Sequence, residues 1–141
     1  MESQGSVQRT FRLSRSNSDL LDAAVRRSTE TRNSLADRLI GEGLRTESHP
    51  AIRFRTGAAG RREPVVAGTR LLVRQVVSTV RAANGDSDEA ADVLSLSVPL
   101  VKAALSYYAE FSDEVDDDQR WADDLERVER ERWEREQALF A

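Results

Sequence analysis

Val7-Gln8-Arg9-Thr10-Phe11-Arg12-Leu13 is the stretch on which the reading of this chain turns. Val7, Phe11 and Leu13 fall on one side and Gln8, Thr10 and Arg12 on the other, with Arg9 the odd member of the apolar side. Period-two alternation of this kind predicts a short, half-buried strand. Ser14 to Ser18 is a polar break rich in helix caps. Leu20, Leu21, Ala24 and Val25 then recur at helical spacing, predicting a first helix from Asn17 to Ser28. After the polar turn Thr29-Glu30-Thr31-Arg32, Asn33 or Ser34 is expected to cap a second helix. That helix should bury Leu35, Leu39, Ile40 and Leu44 and end near Arg45. One strand and two helices in fewer than 50 residues cannot enclose a core, and both strand edges are unpaired. With no cysteine to staple it, such a segment needs a second copy. Two strands would pair antiparallel over the four helices, leaving Gln8, Thr10 and Arg12 of both chains on a polar ribbon.

Outward from there, Ala51-Ile52-Arg53-Phe54-Arg55 predicts a strand with Ile52 and Phe54 inward, and Thr56 to Gly60 a turn before Pro64-Val65-Val66-Ala67-Gly68-Thr69-Arg70. Val73, Val76, Val77 and Val80 predict a helix to Ala83, closed by Asn84-Gly85. Ser87 is expected to cap a short acidic helix with Ala90, Ala91 and Leu94. Ser97 should cap a third, with Pro99 in its first turn and Leu100, Val101, Ala104, Leu105, Tyr108 and Phe111 on its apolar faces. Three helices with a short turn between the last two have the organisation of a helix-turn-helix unit. His49, before a proline, reads as a turn residue. Gly68-Thr69-Arg70 lacks the glycines and Lys-Ser/Thr of a phosphate loop, so Gly68 is expected in an unusual backbone angle and Arg70 in an ion pair.

Asp113-Glu114-Val115-Asp116-Asp117-Asp118 is expected to be solvated and mobile. From Gln119 a charged helix begins, with Trp121, Leu125 and Val128 at i, i+4 and i+7, and Trp133, Leu139 and Phe140 further on. Glu and Arg alternate over its other faces, favouring an exposed single helix. An apolar stripe with both tryptophans of the chain fits a partner's groove; packing on the preceding helices, or pairing with a second copy as a coiled coil, are the other readings.

The chain has 141 residues, 39% hydrophobic and 33% charged. The net charge of −4 divides unevenly: +1 over residues 1–48, +6 over 49–85 and −11 over 86–141. A basic centre and an acidic end imply two partners of different charge. Arg53, Arg55, Arg61 and Arg62 form the densest basic stretch. They serve either DNA backbone contact or neutralisation of the acidic tail. Without cysteine and with a single histidine, disulfides, thiolate metal sites and cysteine nucleophiles are excluded, and neither a zinc site nor a Ser-His hydrolase is expected. Neither metal nor cofactor is expected, and the chain does not read as an enzyme. No apolar run reaches membrane-spanning length. The opening residues lack a basic-then-apolar leader, which points to the cytoplasm.

Residues 7–47 resemble a ribbon-helix-helix domain, through the strand Gln8–Leu13, the helix around Leu20–Val25 and Arg32-Asn33-Ser34 opening a second helix. The resemblance implies a dimer whose Gln8, Thr10 and Arg12 read bases in the major groove, with Arg32, Asn33 and Ser34 on phosphates. Residues 49–115 resemble the domain-of-unknown-function 433 family, through His49-Pro50-Ala51-Ile52, Pro64–Arg70, Val73 and Val101–Tyr108. This implies a homeodomain-like trihelical fold and the role of a VapB-type antitoxin, encoded beside a PIN-like ribonuclease toxin. The expected architecture is therefore mainly α. It comprises a ribbon-helix-helix domain over 1–48, a small hairpin with a trihelical domain over 49–115, and a partner-binding helix over 116–141. The expected function is that of a type II antitoxin that neutralises a PIN-like ribonuclease and represses its own operon by binding operator DNA. Trp121, Leu125, Val128, Trp133, Leu139 and Phe140 would contact the toxin. Arg127, Arg130, Arg132 or Arg135 would meet the carboxylates of its active site. A stand-alone repressor whose last helix serves oligomerisation is the alternative.

Overall fold

The computed structural model describes residues 5–57 and 60–141. The protein is mainly helical with one small antiparallel sheet: α1 (Arg15–Arg26), α2 (Arg32–Ser48), β1 (Ile52–Thr56), β2 (Arg62–Val66), α3 (Val73–Ala82), α4 (Ser87–Leu94), α5 (Val98–Glu110) and α6 (Ser112–Ala138). It divides into two compact units, Met1–Gly41 and Glu42–Ala141. The division falls within α2, because its backbone ladder continues past Arg45 as far as Ser48.

In Met1–Gly41, α1 begins two residues earlier than its apolar spacing indicates. Ser14 Oγ accepts the Asn17 N–H at 3.1 Å and satisfies one first-turn donor. Thr31, rather than Asn33 or Ser34, caps α2, its Oγ1 accepting the Ser34 N–H at 3.2 Å. Glu30 receives Arg38 through both Nε and Nη2, which fastens the turn between the helices. Residues 5–14 form no strand: a β-ladder needs a second strand, and a single chain supplies none here.

In Glu42–Ala141, β1 and β2 pair in register Ile52↔Val66 through Thr56↔Arg62. Val65 bridges further to Leu72. The turn between them uses Gly68 at φ +77°, where a Cβ would be strained. Thr69 Oγ1 donates to the Val66 carbonyl at 2.8 Å and accepts the Leu71 N–H at 3.0 Å. The string Gly68-Thr69 is thus a built corner, while Arg70 is exposed and takes part in no ion pair among the described residues. Gln75 Oε1 accepts the Leu72 N–H and closes the first turn of α3. Asn84 and Gly85 adopt positive φ between α3 and α4. Asp86, not Ser87, then caps α4 by accepting from the N–H groups of Asp88 and Glu89. Asp86 occupies the N-cap position itself, and the N-terminal helix dipole favours its negative charge there.

Val73, Val76, Val77 and Val80 of α3 meet Ala90, Ala91, Val101, Ala104 and Tyr107 in the core, closed by Ile52, Val66 and Val115. Small alanines on α4 and α5 let the valine face approach closely. The acidic stretch 113–118 is the start of α6 rather than a mobile segment. Burial of Val115 and Asp118 holds one face of that turn against the unit while Asp113, Glu114 and Asp117 are exposed on the others. Among the described residues no single helix is long and apolar enough to cross a membrane.

Tyr107 is the largest fully buried side chain. It packs against His49, Phe54 and Phe111. Burial pushes its hydroxyl up to about 12, against the pull of the Arg45 guanidinium. A buried phenol that ionises late binds its proton more tightly folded than unfolded, so stability falls as pH rises from the ordinary value of 10.0 toward 12. Tyr107→Ala should lower unfolding free energy by about 3–5 kcal/mol, measured by urea denaturation. Tyr107→Phe should remove the part of the alkaline loss that this residue contributes.

Candidate nucleic-acid and partner interfaces

Within Met1–Gly41 only Leu35, 3% exposed, is a buried apolar side chain among the described residues. Val7, Phe11 and Leu13 remain 72%, 68% and 54% exposed. Leu39 and Ile40, expected in the core, are also exposed, as is Leu44 beyond the division. The helical spacing that marks these residues as apolar-face positions is real, yet none of them is buried. Leu13, Leu20, Leu21, Ala24, Leu39 and Ile40 instead line an open groove of about 490 Å³.

Gln8, Thr10 and Arg12 are exposed ahead of this groove, on a segment without regular structure. Arg32, Asn33 and Ser34 are exposed on the first turn of α2. The Arg32 guanidinium pairs with Asp22 at 2.6 Å, and the Ser34 amide is taken by Thr31. The two sets of expected DNA-contacting residues are therefore accessible, with Arg32 and the Ser34 amide held by neighbours in the same unit.

In the second unit the basic stretch separates by role. Arg61 pairs with Asp118 at 2.8 Å and lies over the Trp121 ring at 5.6 Å. Arg62 pairs with Glu42 at 2.6 Å, its Nε and Nη2 both donating to that carboxylate while Nη1 donates to Thr56 Oγ1. Arg53 donates to the carbonyls of Pro50 and Ile52, and Arg55 is exposed. Neutralisation of acids thus accounts for Arg61 and Arg62. Beside them, Glu63 accepts from Arg74 at 2.9 Å.

Arg61, Asp118 and Trp121 form the joint that seats α6, and none of the three stood out by sequence as a group. The available signal was spacing: Val115, Asp118 and Trp121 follow at i, i+3 and i+6, a rough helical face that carries an acid at its centre. Burial pushes the Asp118 carboxyl above the usual carboxylate range, opposed by the Arg61 guanidinium. Its ionisation therefore works against folding. Stability attributable to this group falls as pH rises through the interval just above 3.8.

His49, read as a turn residue, also supports a joint. Its Nε2 stands 2.7 Å from Glu110 Oε2, and its ring meets Tyr107 and Phe111 edge-on. Arg45 makes a parallel link to Glu114 at 2.7 Å and lies over Phe111. These contacts tie the end of α2 to the junction of α5 and α6.

Beyond that junction α6 is solvent-exposed from Asp123 onward. Trp121, Leu125 and Val128 form a half-exposed apolar strip, and Trp133, Leu139 and Phe140 are more exposed still. Of the candidate arginines, Arg127 pairs with Glu131 at 3.2 Å and Arg130 with Glu126 at 3.4 Å, each one helical turn away. Arg132 and Arg135 are exposed and form no ion pair among the described residues.

Comparison with known proteins finds no matching family model, no similar characterised protein and no similar solved structure.

Asp118→Asn should retain most of the stability at neutral pH and flatten the acid-side pH dependence, followed by thermal unfolding between pH 3 and 7. Asp118→Ala, which leaves Arg61 without an acceptor in a half-buried position, should cost about 1–3 kcal/mol.

Proposed function

We propose that the protein is a type II antitoxin. Its N-terminal unit dimerises to bind operator DNA, and its last helix holds a PIN-like ribonuclease. One observation carries this reading: Met1–Gly41 buries one apolar side chain among the described residues and leaves an apolar groove open beside a polar-apolar alternating segment. A second copy laid against that groove would cover Phe11, Leu13, Leu20, Leu39 and Ile40. It would also supply the strand that residues 7–13 need. The apolar side of that segment would then turn inward, and Gln8, Thr10 and Arg12 would project together on a two-stranded ribbon.

Such a ribbon fits the major groove, where glutamine pairs with adenine and arginine with guanine, while threonine offers a hydroxyl and a methyl. Arg32, Asn33 and Ser34 at the start of α2 are suited to phosphate contact, which sets register without reading sequence. Residues 49–115, in this reading, form a trihelical homeodomain-like support. The acids of α4, Asp86, Asp88, Glu89 and Asp92, would be repelled by phosphates and suit protein contact better.

The second partner is argued from α6. A helix exposed along its outer half, bearing two tryptophans and unpaired arginines, has the make-up of a segment that lies in another protein's groove. A PIN-like active site is a cluster of carboxylates, and an arginine delivered beside an apolar anchor would be held there by charge-assisted hydrogen bonds. Arg132 and Arg135 are the better placed, since Arg127 and Arg130 already have acids within one turn.

Deleting residues 119–141 should abolish neutralisation of the nuclease while leaving operator binding intact, read by growth rescue and by mobility shift. Arg12→Ala should weaken operator binding by about 1–3 kcal/mol and relax preference at one base position, leaving neutralisation unchanged. Loss of both activities in either variant would overturn the division of labour.

A further inference from the structure

Trp121, Leu125, Val128, Arg132, Arg135 and Leu139 follow one another along α6 at alternating intervals of four and three residues. That is the 4-3 spacing of a coiled-coil seam, in which each position faces a second helix. Four of the six positions are apolar, all four are substantially exposed, and the two arginines among them take part in no ion pair among the described residues. Acids border the seam on both sides: Asp124 and Glu131 on one, Glu129 and Glu136 on the other.

We infer that this seam pairs antiparallel with α6 of a second copy of the chain, Val128 of each copy lying against Arg132 of the other. Charge selects both occupant and direction. In a parallel pair in register, Arg132 would face Arg132 and Arg135 would face Arg135, two like-charged layers in succession. Running the helices antiparallel about their midpoint near Arg130 removes both. Trp121 then meets Leu139, Leu125 meets Arg135, and Val128 meets Arg132, so every layer contains at least one apolar side chain. The arginine stems cover apolar surface, and their heads emerge between Asp124, Glu129 and Glu131 of the other copy. The seam therefore carries its own complement: basic positions within it and acidic positions along its edges.

Trp133 and Phe140, seven residues apart, lie beside this seam rather than on it, and remain open when it is closed. The pairing rests on α6 alone and holds whatever the second partner is. If the proposed nuclease contact is also correct, self-pairing withholds Leu125, Val128, Arg132 and Arg135 until that partner displaces the second copy.

The absence of native cysteine makes the register directly readable. Full-length chains carrying Val128→Cys are mixed in equal amounts with chains carrying Arg132→Cys and oxidised gently. The mixed 128–132 disulfide should exceed either same-site disulfide by about tenfold, equivalent to about 1.4 kcal/mol between the two directions. Same-site disulfides in excess would establish parallel pairing, and no disulfide at either site would establish unpaired helices; either result overturns the inference. In chains also carrying Arg135→Leu, where one like-charged layer is gone, the excess of the mixed product should shrink. Nuclease capture measured separately on the unmodified chain reports on the proposed function, so the two can fail independently.

Discussion

Apolar surface that the N-terminal unit does not enclose by itself is the constraint from which the rest of this structure follows. Residues Met1–Gly41 contain enough leucine, isoleucine and phenylalanine for a core, yet only Leu35 is buried among the described residues. Two helices and an extended segment have too little volume to wrap around one another, and an unpaired strand leaves its hydrogen-bonding groups to water. Leaving Phe11, Leu13 and Leu20 in solvent forgoes roughly 1.5–3 kcal/mol for each large apolar side chain. In the proposed dimer a second copy covers them, and the polar residues that alternate with them are carried to the surface by the same act.

The second unit meets the same constraint differently. Its hairpin and the helices α3 to α5 enclose a core of valine, alanine, Ile52 and one tyrosine, and the first turns of α6 close it through Val115. The charges that flank this core are largely paired across elements, Arg61 with Asp118, Arg62 with Glu42, Arg74 with Glu63 and Arg45 with Glu114. Individually exposed pairs of this sort contribute little. Those at Glu63 and Asp118 matter more, because a buried carboxylate left without its arginine costs far more than the pair returns. The Arg61–Asp118 pair anchors α6 just before Trp121, and from Asp123 onward the helix is exposed.

Much of this was legible in the amino-acid order. The valine repeat of α3, the Asn84-Gly85 stop, Pro99 in the first turn of α5 and the stripe of α6 all follow from local periodicity and backbone preference. Boundaries set by competition among polar side chains were not. Thr31 and Asp86 outcompete Asn33, Ser34 and Ser87 as caps because the chain path presents their oxygens to the free amides. The stretch 113–118 reads as a solvated acidic run until Val115 is seen to have a core to enter. Arg70 meets no acid among the described residues because it follows the corner made by Gly68 and Thr69 and is exposed.

Residue order alone therefore determined where helices form, which faces are apolar, that cysteine chemistry is absent and that charge is segregated along the chain. These are local properties, written in spacing of 3.6 or 2 and in side-chain type. Tertiary structure decided which apolar faces are satisfied within one chain and which are left over, and which of many arginines are held by an acid. That division depends on distances between residues tens of positions apart, such as Arg61 and Asp118, and no local pattern encodes them.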